Sequence, residues 1–208
     1  MILLKILFCV LAYLIGSIPF GLIIAKIKNI DLRNKGSKNI GAANVARVVG
    51  KKYAVITFLL DMSKSALFVL LFRYEIIPNE YMVLSPLFYG MLAAIGHSYS
   101  IFLKLNGGKA VASGAGALFA YSPITIPIGI ITFLGVVKAT KIAALGSLSA
   151  ATISVILITI QFFFGNDFIT GLEIDLTSLI IAILLLVLVV LKHIPNIKRM
   201  INKNENKF

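Results

Sequence analysis

The chain has 208 residues, 59% hydrophobic and only 13% charged, with a mean hydropathy of +0.99; a soluble domain is nearer ~45–50% apolar and ~25% charged, so lipid must cover much of this surface. Twenty Lys and Arg against eight Asp and Glu give +12, which in so apolar a chain marks cytoplasmic loops and anionic lipid rather than nucleic acid. Cys9 stands alone, and His97 and His193 have no partners at metal-ligand spacing, so an internal disulfide and a thiolate or spaced metal site are excluded.

Met1 to Phe20 carries Lys5 and an apolar run, but no small-residue cleavage site follows. It runs on into Gly16-Ser17-Ile18-Pro19-Phe20-Gly21 and reads as a retained first span over 3–25. Apolar stretches predict further spans over 53–73, 81–101, 142–164 and 177–192, near the ~20 residues a crossing helix needs. The stretch 111–137 is too long for one untilted span, at about 40 Å for ~1.5 Å per residue. Ser122-Pro123 and Pro127 interrupt it. Charge decides how often it crosses. Lys26, Lys28, Arg33, Lys35, Lys38, Arg47, Lys51 and Lys52 make the first loop cytoplasmic and the N-terminus external. Two crossings within 111–137 then put Lys104, Lys109, Lys138, Lys141, Lys192, Lys198, Arg199, Lys203 and Lys207 inside as well, 17 of the 20 basic residues in all. The acidic loop of Asp167, Glu173 and Asp175 falls outside. The expected fold class is all-α: a polytopic membrane bundle of seven transmembrane helices, the fourth and fifth short, with the C-terminus cytoplasmic. Residues 1–201 are expected as one domain, followed by a polar, frayed tail over 202–208.

Four segments are too polar or glycine-rich for plain connectors, and all four fall on the cytoplasmic side. The first, Lys35 to Arg47, contains Gly36, Ser37, Asn39, Gly41 and Asn44. Glycines let backbone N–H groups turn toward an anion, and the Arg47 guanidinium can hold a phosphate through two parallel hydrogen bonds. A plain turn with basic residues facing lipid headgroups is the alternative. The second, Lys104 to Ser113, places Gly107, Gly108 and Lys109 before a helix start, where phosphate binds. It lacks the first Gly and the Gly-Lys-Ser/Thr ending of a Walker A loop, and a capping turn is the alternative. The third closes the last span with His193 and Asn196, which share a face on a helix. Pro195 disfavours helix at Ile194. The fourth, Lys138 to Lys141 leading to Ser147 and Ser149, is weak, because serines in membrane helices usually serve packing.

Within the membrane, Asp61 and Lys64 sit three apart, and His97 follows Gly96 near the inner end of the third span. Intramembrane charges are functional candidates. Here a mutual ion pair that also fixes a neighbouring helix is preferred. No HxxxxD pair, GxSxG elbow or carboxylate cluster appears. Gly, Asn, Ser, Lys, Arg and His together suit the holding of phosphates.

In order and spacing these residues resemble the PlsY type of bacterial membrane acyltransferase. The resemblance runs nearly end to end, through Gly16–Gly21, Gly36–Arg47, Asp61-x-x-Lys64, Gly96-His97, Gly107-Gly108-Lys109 and His193-x-x-Asn196-Ile197-x-Arg199. It implies seven helices in the bacterial cytoplasmic membrane, with the active site facing the cytoplasm. It implies transfer of an acyl group from acyl phosphate to the 1-position of glycerol 3-phosphate, with no cofactor and with a soluble acyl-phosphate synthase as a partner. Carried over by position, it assigns the acyl-phosphate head to Lys109, Gly107 and Gly108. It assigns glycerol 3-phosphate to Ser37, Arg47, His193 and Asn196, with Gly36, Asn39, Gly41 and Asn44 shaping the loop and Ser147 nearby. It implies no side-chain general base, since the substrate phosphate takes the hydroxyl proton. The chain departs from the family pattern at Lys38 and Ala110, where glycines are usual, and at Ala43, Ser113, Tyr99-Ser100 and Lys141-Ile142-Ala143-Ala144. A positive φ at Lys38 would cost ~1–2 kcal/mol. A small membrane transporter, and a paralogue that binds lipid precursors without turnover, are the rival readings.

Overall fold

A computed structural model describes residues 1–206; Lys207 and Phe208, the end of the expected tail, lie outside the described residues. Among the described residues the chain is helical with no strand, apart from an isolated bridge between Asn166 and Glu173. The helices are α1 (Ile2–Gly16), α2 (Phe20–Ile27), α3 (Ala42–Val48), α4 (Lys51–Arg73), α5 (Pro86–Ser98), α6 (Val111–Tyr121), α7 (Thr125–Thr140), α8 (Ala143–Phe164) and α9 (Leu176–Ile201).

Among the described residues, five helical segments are long and apolar enough to cross a membrane: Ile2–Ile27, Lys51–Arg73, Pro86–Leu103, Ala143–Phe164 and Leu176–Ile201. Two shorter apolar helices, Val111–Tyr121 and Thr125–Thr140, occupy the stretch whose length and prolines predicted a break. Outward-facing side chains such as Ile2, Ile131 and Phe163 are left exposed by the protein itself, as expected where acyl chains are the solvent.

Prolines set the breaks. Pro19 interrupts the first segment after Gly16, because a residue before proline is driven out of the helical region. Ser122, before Pro123, is extended and separates α6 from α7. Its hydroxyl donates to Asp167 Oδ2 at 2.5 Å, which anchors this corner. The third span starts later than expected. Ser85 is extended and Pro86 opens α5, the helix position a proline tolerates best. The last helix runs further than expected, through Pro195 to Ile201. Pro195 has no N–H to give the Leu191 carbonyl, and both residues lie on the exposed face of the helix.

Close helix approaches are made by small residues, as lipid-embedded bundles require. A Cβ at Gly16 would overlap the Ala93 backbone, one at Gly96 the Tyr13 carbonyl, and one at Gly116 the Met62 carbonyl. These contacts hold α1 against α5 and α6 against α4. The stacked rings of Phe72 and Tyr89, 4.3 Å between centroids, join α4 to α5.

Candidate active site

The loop between α2 and α3 is built around Asn44. This buried side chain accepts from Ser37 N at 2.8 Å and donates to the carbonyls of Asn39 (2.8 Å) and Lys35 (3.0 Å). Asn39 Oδ1 accepts from Gly41 N at 2.9 Å. Gly36 has φ 58°, and a Cβ there would overlap Asn44 Oδ1. The loop therefore has one shape, and it presents Ser37, Asn39, Gly41 and Arg47 to a common cavity. Lys38 does adopt a positive φ, 60°. So does Ala110, also 60°, and the local cost is ~1–2 kcal/mol at each. The Asn44 network and the loop at Gly107–Lys109 hold these conformations without glycine.

The cavity has a volume of about 470 Å³. Its polar mouth gathers Ser37, Asn39, Arg47, Lys109, His193, Asn196 and Glu205 from four parts of the chain. Below them the wall is largely apolar, with Phe58, Leu118, Ile126, Ile130, Phe133, Val155 and Leu185, and Asp61, His97, Thr125 and Ser154 also line it. Val111 and Ala112, in the first turn of α6, also line it, so the partial positive charge of that helix end faces the space. Ser147 lies on the wall, but its hydroxyl donates to the Ala143 carbonyl at 2.9 Å.

Lys109 and α9 form the rigid side of the mouth. Lys109 Nζ donates to Asn196 Oδ1 at 2.6 Å. Asn196 Nδ2 donates to Glu205 Oε1 at 2.7 Å, and Arg199 Nε donates to Glu205 Oε2 at 2.8 Å. A lysine only donates and a carboxylate only accepts, so the Asn196 amide can point in only one direction. His193, buried on the same face, donates from Nδ1 to the Val189 carbonyl at 2.8 Å. In the neutral ring that leaves Nε2 as an acceptor toward the cavity. Burial pushes the Lys109 ammonium down to about 8; the Glu205 carboxylate opposes this, while the Arg199 and Arg47 charges add to it.

Two expectations need correction. Gly107 and Gly108 do not offer their N–H groups to the cavity. They donate to the carbonyls of Ser98 (3.2 Å) and His97 (2.9 Å), which closes the loop before α6. Within the tail expected to fray over 202–208, Glu205 is held in place by Asn196 and Arg199. Glu205 is the site residue that sequence reasoning missed. A lone carboxylate in a polar tail carries no periodicity or motif; its only signal is an acid five to ten residues beyond a His-x-x-Asn-x-x-Arg face. Asp61 and Lys64 are paired at 2.7 Å, as preferred from the sequence.

A cationic mouth on an apolar cavity within a membrane bundle defines a protein that handles amphiphiles with anionic heads. Comparison with known proteins narrows this class. Residues 6–203 match the glycerol-3-phosphate acyltransferase family model. Proteins named glycerol-3-phosphate acyltransferase from Acholeplasma laidlawii (39% identical, covering 94% of this chain and 89% of that one) and Aquifex aeolicus (38%, 98% and 100%) are similar to it. A solved structure of PlsY, an integral membrane glycerol 3-phosphate acyltransferase in its glycerol 3-phosphate form, aligns with a TM-score of 0.84 at 33% identity, over 98% of this chain and 95% of that one. Its lysophosphatidic acid form aligns at 0.83 and 31%, with the same coverage. The chain belongs to the glycerol-3-phosphate acyltransferase family.

Two outcomes follow from the mouth. Glu205→Ala leaves Asn196 Nδ2 and Arg199 without their acceptor. Hydrogen bonds to charged groups are worth about 1.5–3 kcal/mol, so kcat/KM should fall by about ten- to a hundredfold, and an unchanged value in steady-state assays would remove Glu205 from the site. For pH, a phosphate monoester is already dianionic above a pKa of about 6, whereas Lys109 loses its proton through about 8. The lysine therefore sets the trend: KM for the anionic substrate it holds should rise between pH 7 and pH 9, and a flat profile would contradict that role.

Proposed function

We propose that this chain transfers a fatty acyl group from acyl phosphate to the 1-position of glycerol 3-phosphate, giving lysophosphatidic acid and phosphate. The observation that carries the reading is the continuity of one cavity from the polar mouth of Ser37, Arg47, Lys109, His193 and Asn196 to an apolar wall. A donor with a phosphate head and an acyl chain fits that polarity. So does a product with the same two ends. The PlsY structures similar to this chain are described as holding glycerol 3-phosphate and lysophosphatidic acid.

Lys109 and the start of α6 hold the donor phosphate. Ser37, Arg47, His193 and Asn196 hold glycerol 3-phosphate, on a loop shaped by Gly36, Asn39, Gly41 and Asn44. The acyl chain lies along the apolar wall. The glycerol 1-hydroxyl oxygen bonds to the acyl carbonyl carbon, the bond from that carbon to the phosphate oxygen breaks, and phosphate leaves with the hydroxyl proton. Two carboxylates line the cavity among the described residues, and both are engaged: Asp61 by Lys64, and Glu205 by Asn196 and Arg199. With both carboxylates paired, proton transfer to the substrate phosphate is supported over a carboxylate base. Acyl phosphate is already activated, so positioning and charge stabilisation can carry the reaction.

The five long and two short apolar helices support a seven-span arrangement with an external N-terminus. The basic residues then put the mouth in the cytoplasm, where glycerol 3-phosphate arrives from water and a soluble acyl-phosphate synthase supplies the donor.

Purified protein should release phosphate from acyl phosphate only when glycerol 3-phosphate is present. An equal rate with acyl-CoA as donor would reject the acyl-phosphate reading. Arg47→Ala should raise KM for glycerol 3-phosphate by about tenfold or more, the worth of one charge-assisted contact; full activity would remove the second phosphate site. A reporter fused after Lys207 should read cytoplasmic, and an external signal would overturn the orientation.

A further inference from the structure

One buried polar cluster has no part in the reaction as written above. Lys64, on α4, lies 2.7 Å from Asp61 Oδ1 on the same helix. Its Nζ also lies 2.9 Å from the Ile18 carbonyl, in the break between α1 and α2, and 2.9 Å from His97 Nδ1 on α5. An ammonium has three donors and no acceptor. A charged Lys64 can only donate to His97 Nδ1, which puts the ring proton on Nε2; Asp61 Oδ1 lies 3.5 Å from the same Nδ1. The ring thus has one tautomer and one orientation.

What the His97 ring touches is the loop that carries Lys109. A Cβ at Gly108 would overlap His97 Nε2, and one at Gly107 would overlap the His97 carbonyl. Gly108 N donates to that same carbonyl at 2.9 Å, and Gly107 N donates to the Ser98 carbonyl at 3.2 Å. The Ser98 carbonyl also receives Lys192 Nζ from α9, at 2.8 Å. Lys109 is the next residue, and its Nζ reaches Asn196. His97 therefore sets the loop with both its ring and its main chain, one residue from the cation at the mouth.

We propose that Asp61, Lys64 and His97 are positioning residues for Lys109: Lys64 fixes the His97 ring, and the ring fixes the Gly107–Lys109 loop against α5. Glycine at 108 is then the counterpart of histidine at 97, set by contact. The proposal rests on the reading of Lys109 as the holder of the donor phosphate. A positioning role of this kind acts mainly on the donor, because Ser37 and Arg47 belong to the separately held segment around Asn44; Asn196, which Lys109 reaches, is the one acceptor contact the two sides share.

The test is a double-variant cycle on the full chain in detergent, with KM measured for each substrate. His97→Ala and Gly108→Ala should each raise KM for acyl phosphate by about tenfold and leave KM for glycerol 3-phosphate within about threefold. The double variant His97→Ala/Gly108→Ala should be no worse than Gly108→Ala alone, because the overlap is gone; contacting residues are non-additive in this way. Lys64→Met, which does not touch the loop, should show the same donor-selective rise. If Lys64→Met does not fold, the cycle decides. Equal rises in both KM values, or simple additivity in the cycle, would overturn the proposal. Lys109→Ala separates it from the reading beneath it. An unchanged donor KM in Lys109→Ala removes the role of Lys109 itself. A raised donor KM there, with additive His97 and Gly108 effects, removes only the positioning.

Discussion

Lipid offers no water to a buried charge, so Lys64 must find every partner inside the protein. It finds three, and they lie on three different parts of the chain: Asp61 on its own helix, the Ile18 carbonyl freed by the Pro19 break, and His97 on α5. Removing any partner would leave an uncompensated group in a low-dielectric interior. The arrangement of α1, α2, α4 and α5 follows from that demand. Close approach by Gly16 and Gly96 makes it reachable, since bulkier residues would hold α1 and α5 apart.

The site grows from the other end of the same frame. His97 carries the demand of Lys64 to the loop before α6, and Lys109 carries it across to α9 through Asn196. Glu205 then closes the chain of partners back onto Arg199. Lys109, Asn196, Glu205 and Arg199 fix one another, so the Lys109 ammonium is held ready for phosphate with little left to reorganise. The apolar wall below gives a long chain a dry place beside them. One substrate can come from water and the other from lipid without either crossing the wrong medium.

The departures from the family pattern are informative in this light. Lys38 and Ala110 stand at positive φ where glycine would relax the backbone. Both lie in loops whose shape is set by buried hydrogen bonds, from Asn44 in one case and from the His97 and Ser98 carbonyls in the other. The strain is small beside what those networks hold, and Arg47, Lys109, His193 and Asn196 all reach the cavity.

The sequence by itself determined where the apolar helices run, that Ser122-Pro123 interrupts them and that 111–137 is two helices; the break at Pro19, inside what reads as one span, came only with the structure. Hydropathy and proline act locally, so these features need no knowledge of packing. It misjudged the end of α9, which runs on through Pro195 to Ile201. Tertiary structure alone decided which polar groups meet. Lys64 and Ile18 are 46 residues apart, and Lys109 and Asn196 are 87; no periodicity spans such distances. For the same reason the Gly107 and Gly108 N–H groups were expected to face an anion but serve α5 instead, and Glu205 was hidden in the tail. A hydrogen bond is a demand for a partner at ~3 Å. The sequence states the demand, and only the packed helices say who meets it.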